Sequence, residues 1–349
     1  MIKSIQLARA LAALSVVFYH YHLYGFNIGD FGVDIFFVIS GFIIAYMVNK
    51  TTDRFALKRI VRVAPLYYIA TCITIVLALL RPSMFKSVVV TGGAIVKSFL
   101  FIPYAIKDSG PILSLGWTLN YEMFFYLAMF LCILFFRDKK RNLVPACGGV
   151  LILFLGILTA TGTDSFILLF YKNGQLPEFI YGLGLYYVMT YYKSKRIASA
   201  DYLMTALGFF ALVFMVYAQA TGRFTGLSRN IRLGIPSLLF VNGLLALENK
   251  INQDNHLIKW GLKLGDASYA MYLFHPFIIF ALLRLVYPKL GHNGSLLLNL
   301  AEVVVALAAV CLCSVWLYDY LDKPINDLLK RRKTPGSPSS HKPLPSYGG

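Results

Sequence analysis

Arg9 and His20 bound the stretch RALAALSVVFYH, an apolar run with a guanidinium at one end and an imidazole at the other. They are 11 positions apart, which is close to three turns at about 3.6 residues per turn. Both side chains therefore fall on one helical face, about 16 Å apart along the axis at about 1.5 Å per residue. Gln6 and Tyr24 lie near the same stripe, and Ala13 on it leaves room for close approach. Ionisable groups on so apolar a segment face a cavity or a partner, because lipid cannot solvate them. Asp34, in FGVDIFFVISGF, follows His20 after one short hairpin and at a similar depth. A carboxylate there would hold the tautomer of His20 and raise its basicity, which a general base needs. It also suits a helix start, where the dipole favours an acid.

Glu122, in SLGWTLNYEMFFYL, stands about one and a half turns inside the next apolar segment that carries an acid. His20, Asp34 and Glu122 are thus expected to converge at one depth from three helices. Asn120 and Tyr121 beside Glu122 read as cavity lining, and Trp117 as an interface anchor. FALKRIVRVAPLYY places Arg59 and Arg62 on one face, with Lys58 beside them and Pro65 closing the turn. Paired guanidiniums suit bidentate phosphate binding, although topology alone also puts basic clusters before a span. LGDASYAMYLFHPFII carries Ser268, Tyr269, Tyr272 and His275. Pro276 frees a backbone carbonyl there, to which a structural His275 would bond.

The elements that must position these groups follow from composition. Of 349 residues, 58% are hydrophobic and only 14% charged, and the mean hydropathy is +0.65. A soluble chain of this length must clothe its exterior with far more polar surface. Apolar runs near the roughly 20 residues needed to cross a bilayer recur near 7–24, 32–48, 65–81, 117–136, 143–161, 176–192, 201–220, 231–247, 266–286 and 296–318. The expected fold is an all-α polytopic membrane helix bundle of about ten transmembrane helices. The first run reads as a retained span and not a cleaved leader, because Arg9 interrupts it and aromatic residues replace a small-residue cleavage site. Segment 82–115, with Gly92, Gly93 and Pro103, reads as re-entrant or interfacial.

Most of the 33 lysines and arginines fall in alternate linkers and near the two termini, so both termini are expected in the cytoplasm. The net charge of +17 then reads as topology and contact with anionic membrane lipids, with no nucleic-acid partner. The five cysteines show no CxxC and no ladder of spacings, so neither a disulfide framework nor a metal site is indicated. Residues 1–325 form the transmembrane domain, and 326–349 a basic, then disordered, tail.

In order and spacing these segments resemble the acyltransferase-3 family of integral membrane acyltransferases, which O-acylate bacterial surface polysaccharides. The resemblance runs through Arg9 and His20 (the family's Arg-x10-His signature), GVDIFFVISGF at 32–42, and RIVR with Pro65-Leu66-Tyr67-Tyr68. It continues through WTLNYEMFFYL at 117–127 and SYAMYLFHP at 268–276. WTLNYEMFFY and RNIRLGIPSLLFVNGLLALE at 229–248 are similar to the branch associated with exopolysaccharide production. The resemblance implies a multi-pass enzyme of the bacterial inner membrane with no permanently bound cofactor. It would use acetyl-CoA or another acyl-CoA as donor from the cytoplasm, and a polysaccharide or lipid-linked oligosaccharide as acceptor outside. Arg9, Arg59 and Arg62 would hold the donor, while His20, Asp34 and Glu122 would be catalytic. His20 would either deprotonate the acceptor hydroxyl or carry the acyl group itself. Trp117, Asn120, Tyr121, Tyr272 and His275 would line the acceptor's path, and polysaccharide biosynthesis machinery would be a partner. The sequence shows no appended SGNH-type esterase-like domain, so a second transfer step would need another protein, or none. The rivals are a proton-coupled transporter, which the lack of internal repeats disfavours, and a non-catalytic subunit of a polysaccharide export complex.

Overall fold

The structure, a computed structural model, describes residues 2–21, 28–105, 110–136, 140–162, 164–172, 174–195, 198–287 and 296–331. Tyr24 and the tail beyond Arg331 lie outside the described residues. Among those described there is no strand. The long helices are α1 (Lys3–Tyr21), α2 (Phe31–Lys50), α3 (Phe55–Leu80), α5 (Gly116–Phe135), α6 (Leu143–Ala160), α8 (Leu176–Lys195), α9 (Ala198–Thr221), α10 (Ile235–Ala246), α11 (His256–Ala281) and α12 (Leu296–Leu317). Short helices α4 (Gly92–Phe99), α7 (Phe166–Lys172) and α13 (Lys323–Arg331) join or end them. Each of the ten apolar runs is a helix, and seven described helices are long and apolar enough to cross a membrane. The other three runs correspond to α1 and α8, which are long enough but more polar, and the shorter helix over Asn230–Ala246.

Small residues set which helices touch, since van der Waals fit and not hydrophobicity drives helix association in lipid. α2 crosses α8 where Gly41 meets Gly182: a Cβ on Gly41 would fall 2.2 Å from the Phe179 carbonyl oxygen. One on Gly182 would fall 2.1 Å from that of Val38. α1 lies along α11, with Ala13 buried in one cluster with Met271 and Ile279 and Gly265 against the backbone of Gln6; its Ala12 meets Gly32 of α2. The Arg9 stripe is therefore held inside the bundle, facing α11.

One expectation changes. α3 begins at Phe55 and runs through Pro65, so the basic segment before the expected 65–81 span is the first part of that helix and not a linker. Membrane helices tolerate such a proline where neighbours resatisfy the backbone. Within 82–115 only α4 is helical among the described residues, too short to cross, in keeping with a segment that lies at the surface. Tyr67 and Tyr68 of α3 fasten it by donating to the Ser98 and Phe99 carbonyls at 3.2 and 2.9 Å.

α1 has no acid in its own first turn; Glu248, after α10, supplies one. Its Oε1 accepts from the Lys3 amide at 3.0 Å and its Oε2 from the Ser4 amide at 2.7 Å. Burial pushes this carboxyl up, but the Ser4 and Lys3 donors outweigh it and hold the pKa below the usual carboxylate value. The cap thus stabilises the fold fully above the unfolded pKa of about 4.3 and loses its effect as pH falls through the lowered folded value. Glu248→Gln is expected to cost about 1 kcal/mol at pH 7. The gap to wild type in thermal unfolding should close as the pH is lowered through that range. A gap that does not change with pH would remove the charge from this account.

Candidate active site

A cavity of about 610 Å³ is enclosed mainly by α2, α3, α5 and α11, with Arg9 of α1 reaching into it. Along α2 it extends from Val33 to Met47, about 21 Å at about 1.5 Å per residue. One mouth is basic, with Lys58, Arg59 and Arg62 of α3 and Lys323 of α13. Ser40, Glu122 and Tyr126 line its middle, and Phe36, Thr118 and Tyr272 its opposite end.

The three arginines differ in what already holds them. Arg62 is paired with Asp322 at 3.0 Å, and that carboxylate is 2% exposed. Arg9 donates to the Gln6 amide oxygen at 3.4 Å, while the Gln6 amide nitrogen donates to Asp266 at 2.6 Å. Arg59 places Nη2 at 3.2 Å from the Met47 sulfur and stacks its guanidinium 5.9 Å from the Tyr126 ring. Its Nε is buried without a hydrogen-bond partner among the described residues. Arg59 therefore keeps a buried donor that no described residue takes up. Glu122 accepts hydrogen bonds from the Tyr126 hydroxyl and from Ser40 at 3.4 Å.

His20 and His275 lie together just past the far end, with ring centroids 4.9 Å apart. The His275 ring is 6.3 Å from that of Tyr272, which does line the cavity. His20 Nδ1 sits 2.9 Å from the Val16 carbonyl oxygen, and His275 Nδ1 sits 3.0 Å from that of Met271. A carbonyl only accepts, so Nδ1 carries the proton in both rings and Nε2 keeps the lone pair when the ring is neutral. His275 is fully buried, in the turn before the proline expected to open the helix there.

Residues 2–319 match the model of a family described as an acyltransferase domain, acyltransferase-3. The chain belongs to the acyltransferase-3 family. ExoZ, an exopolysaccharide production protein of Rhizobium meliloti, is 34% identical over 266 residues, 73% of this chain and 78% of its own. The peptidoglycan O-acetyltransferase OatA of Listeria monocytogenes is 23% identical over 361 residues, covering 93% of this chain and 56% of that protein. The O-acetyltransferase OatA of Staphylococcus aureus is 25% identical over 307 residues, covering 78% and 50%. This chain spans about half the length of those last two. No solved structure matches it. As an acyltransferase-3 protein with these helices it is a multi-pass membrane acyltransferase.

Of the site residues read from sequence, this acyltransferase-3 cavity gathers Arg9, Arg59, Arg62, Glu122 and Tyr272. Trp117, Asn120 and Tyr121 are not among its described lining residues. Tyr121 stacks on Phe170 of α7 with centroids 4.3 Å apart and donates to the Phe170 carbonyl. Trp117 sets its ring edge-on to Tyr121 at 6.0 Å, and Asn120 is 2% exposed. Helical spacing explains the division, since Thr118, Glu122 and Tyr126 share one face of α5. Tyr121, by contrast, points at α7.

The Asp34 carboxylate, expected to orient His20, is paired with Arg229, which donates to both of its oxygens. Arg229 Nε donates to Oδ1 at 3.1 Å and Nη2 to Oδ2 at 2.7 Å. The same guanidinium pairs with Asp30 at 2.7 Å and donates to its backbone carbonyl at 3.1 Å. The Val16 carbonyl takes over the tautomer-fixing role assigned to Asp34. Sequence reasoning missed Arg229, yet a signal existed. Arg229 and Arg232 precede a span on the side that the charge rule should leave poor in arginine, so they needed another explanation.

Proposed function

We propose that the protein transfers an acetyl group from acetyl-CoA, entering at the basic mouth, to a hydroxyl of an exopolysaccharide or its lipid-linked precursor at the opposite end. The cavity carries this reading. It runs from a phosphate-binding type of mouth towards a pair of histidines just past its far end, in keeping with a donor and an acceptor on opposite membrane faces. The ExoZ relative favours an exopolysaccharide as acceptor. The alternation of basic linkers supports a cytoplasmic mouth and cytoplasmic termini in an inner-membrane protein, within reach of polysaccharide biosynthesis machinery.

Arg59, with Lys58 and Lys323 beside it, binds the donor phosphates by charge-assisted hydrogen bonds. Arg62, held by Asp322, contributes positive field more than a free fork. At the far end His20 Nε2 takes the proton of the acceptor hydroxyl. The hydroxyl oxygen bonds to the thioester carbonyl carbon, the carbon–sulfur bond breaks, and the thiolate leaves. The imidazolium proton neutralises that thiolate, giving ester and CoA thiol and restoring neutral His20. Glu122 accepts hydrogen bonds within the donor path and keeps it polar between the two ends.

Purified protein given acetyl-CoA and its host's polysaccharide fraction should release thiol in step with ester formation. Neither a transporter nor an export subunit would do so, and absence of thiol release sinks the proposal. Arg59→Ala should weaken acetyl-CoA affinity about 10-fold to 100-fold, the loss of one charge-assisted contact of about 1.5–3 kcal/mol. Direct titration of detergent-solubilised protein measures it. Unchanged affinity would return Arg59 to a purely topological role.

A further inference from the structure

We propose that Tyr272 is the partition between the donor cavity and the histidine pair, and that it sets the size of the acyl group the protein accepts. The inference rests on the acyl-CoA reading above and adds to it the residue that measures the acyl chain.

The geometry begins with what Tyr272 touches on each side. It lines the cavity, as Phe36 and Thr118 do, whereas His20 and His275 are not among the described lining residues. Its ring lies edge-on to Phe36 at 6.0 Å and 6.3 Å from His275, which in turn faces His20. A thioester entering from the basic mouth therefore meets the Tyr272 ring before it meets an imidazole. The ring is also held in place. Its hydroxyl is 2.8 Å from Thr118 Oγ1 and 3.4 Å from the Leu115 carbonyl oxygen, and Thr118 Oγ1 is 3.0 Å from that same carbonyl.

Those three contacts decide between two roles for the tyrosine. The Leu115 carbonyl can only accept, so one hydroxyl donates to it and the other donates to its neighbour. Both hydroxyl protons are spent on tying α5 to α11. Neither is left over to stabilise charge on a thioester oxygen. Tyr272 thus presents the cavity with an apolar ring fixed from behind, a wall and not a hydrogen-bond donor. A wall of this kind passes a two-carbon acyl group beside it more readily than a longer chain. Apolar pockets typically discriminate each methylene by about 10-fold to 200-fold.

The test uses the full-length protein in detergent with acetyl-, butyryl- and hexanoyl-CoA, measuring binding by titration and transfer by thiol release with the host polysaccharide fraction. In wild type, hexanoyl-CoA should compete with acetyl-CoA for binding, since the mouth grips the shared phosphates. Its transfer should nevertheless be at least about 10-fold slower. Tyr272→Leu and Tyr272→Ala should bring the hexanoyl-to-acetyl rate ratio towards one. Tyr272→Phe, which keeps the ring and drops the hydroxyl, should leave that ratio as in wild type. Equal acetyl and hexanoyl rates in wild type overturn the inference alone, and that measurement needs no variant to fold. So does a wild-type ratio in folded Tyr272→Leu or Tyr272→Ala that still binds hexanoyl-CoA. A wild type that neither binds acetyl-CoA nor releases thiol overturns the acyl-CoA reading itself.

Discussion

His20→Gln is expected to reduce acyl transfer by about 10²–10⁴-fold, the usual cost of losing a general base, while acetyl-CoA still binds. The first half follows from the ring's two nitrogens. Nδ1 is committed to the Val16 carbonyl, so the lone pair that takes a proton in this mechanism is on Nε2. Glutamine keeps a polar side chain of similar reach but cannot accept that proton at neutral pH. The second half follows from placement. His20 is not among the described residues lining the cavity, so removing its imidazole leaves the basic mouth intact. Parallel titration with acetyl-CoA and a transfer assay at matched protein amounts separate the two effects. Near-normal transfer by His20→Gln would remove His20 from the chemistry, and lost donor binding would make it part of the cavity instead.

The same side chains show what sequence can and cannot reach. Spacing along one helix is legible, because 3.6-residue periodicity fixes which positions share a face. That is why Arg9, Arg59, Arg62, Glu122 and Tyr272 could be picked out and do meet around one cavity. What a face packs against is not legible. Asn120 and Tyr121 directly precede Glu122 in sequence, yet Tyr121 rotates away to stack on Phe170 of α7. α7 itself, FILLFYK, is too short to announce itself beside the long run that precedes it. α3 was legible only in its apolar half, because its first turns carry the basic residues that usually mark a linker. Pairings between distant segments are the hardest. Asp34 and Arg229 are 195 positions apart, so His20, an imidazole close by in sequence, was the natural partner to assign.

That pairing carries the largest stability effect expected here. Asp34 is fully buried, and Arg229 is 28% exposed and binds both Asp34 and Asp30. Replacing Arg229 by alanine would strand a buried carboxylate without its counter-charge, which typically costs about 3–5 kcal/mol. Arg229→Lys keeps the charge but cannot reproduce a fork that spans both oxygens of Asp34, so its loss should be smaller yet clear. Arg229→Gln combined with Asp34→Asn removes both charges together. Because the two residues are in contact, the double change should cost less than the sum of the single ones, by more than about 0.5 kcal/mol. Thermal unfolding in detergent measures all four proteins. The comparison also separates two accounts of Asp34. If its work is to fix α2 against the segment entering α10, Asp34→Asn lowers stability and leaves the transfer rate of the folded fraction largely intact. If it acts on His20, the rate falls even where the protein remains folded. Since Arg229 donates to both oxygens of that carboxylate, the first pattern is the expected one, and a stable but inactive Asp34→Asn protein would reverse it.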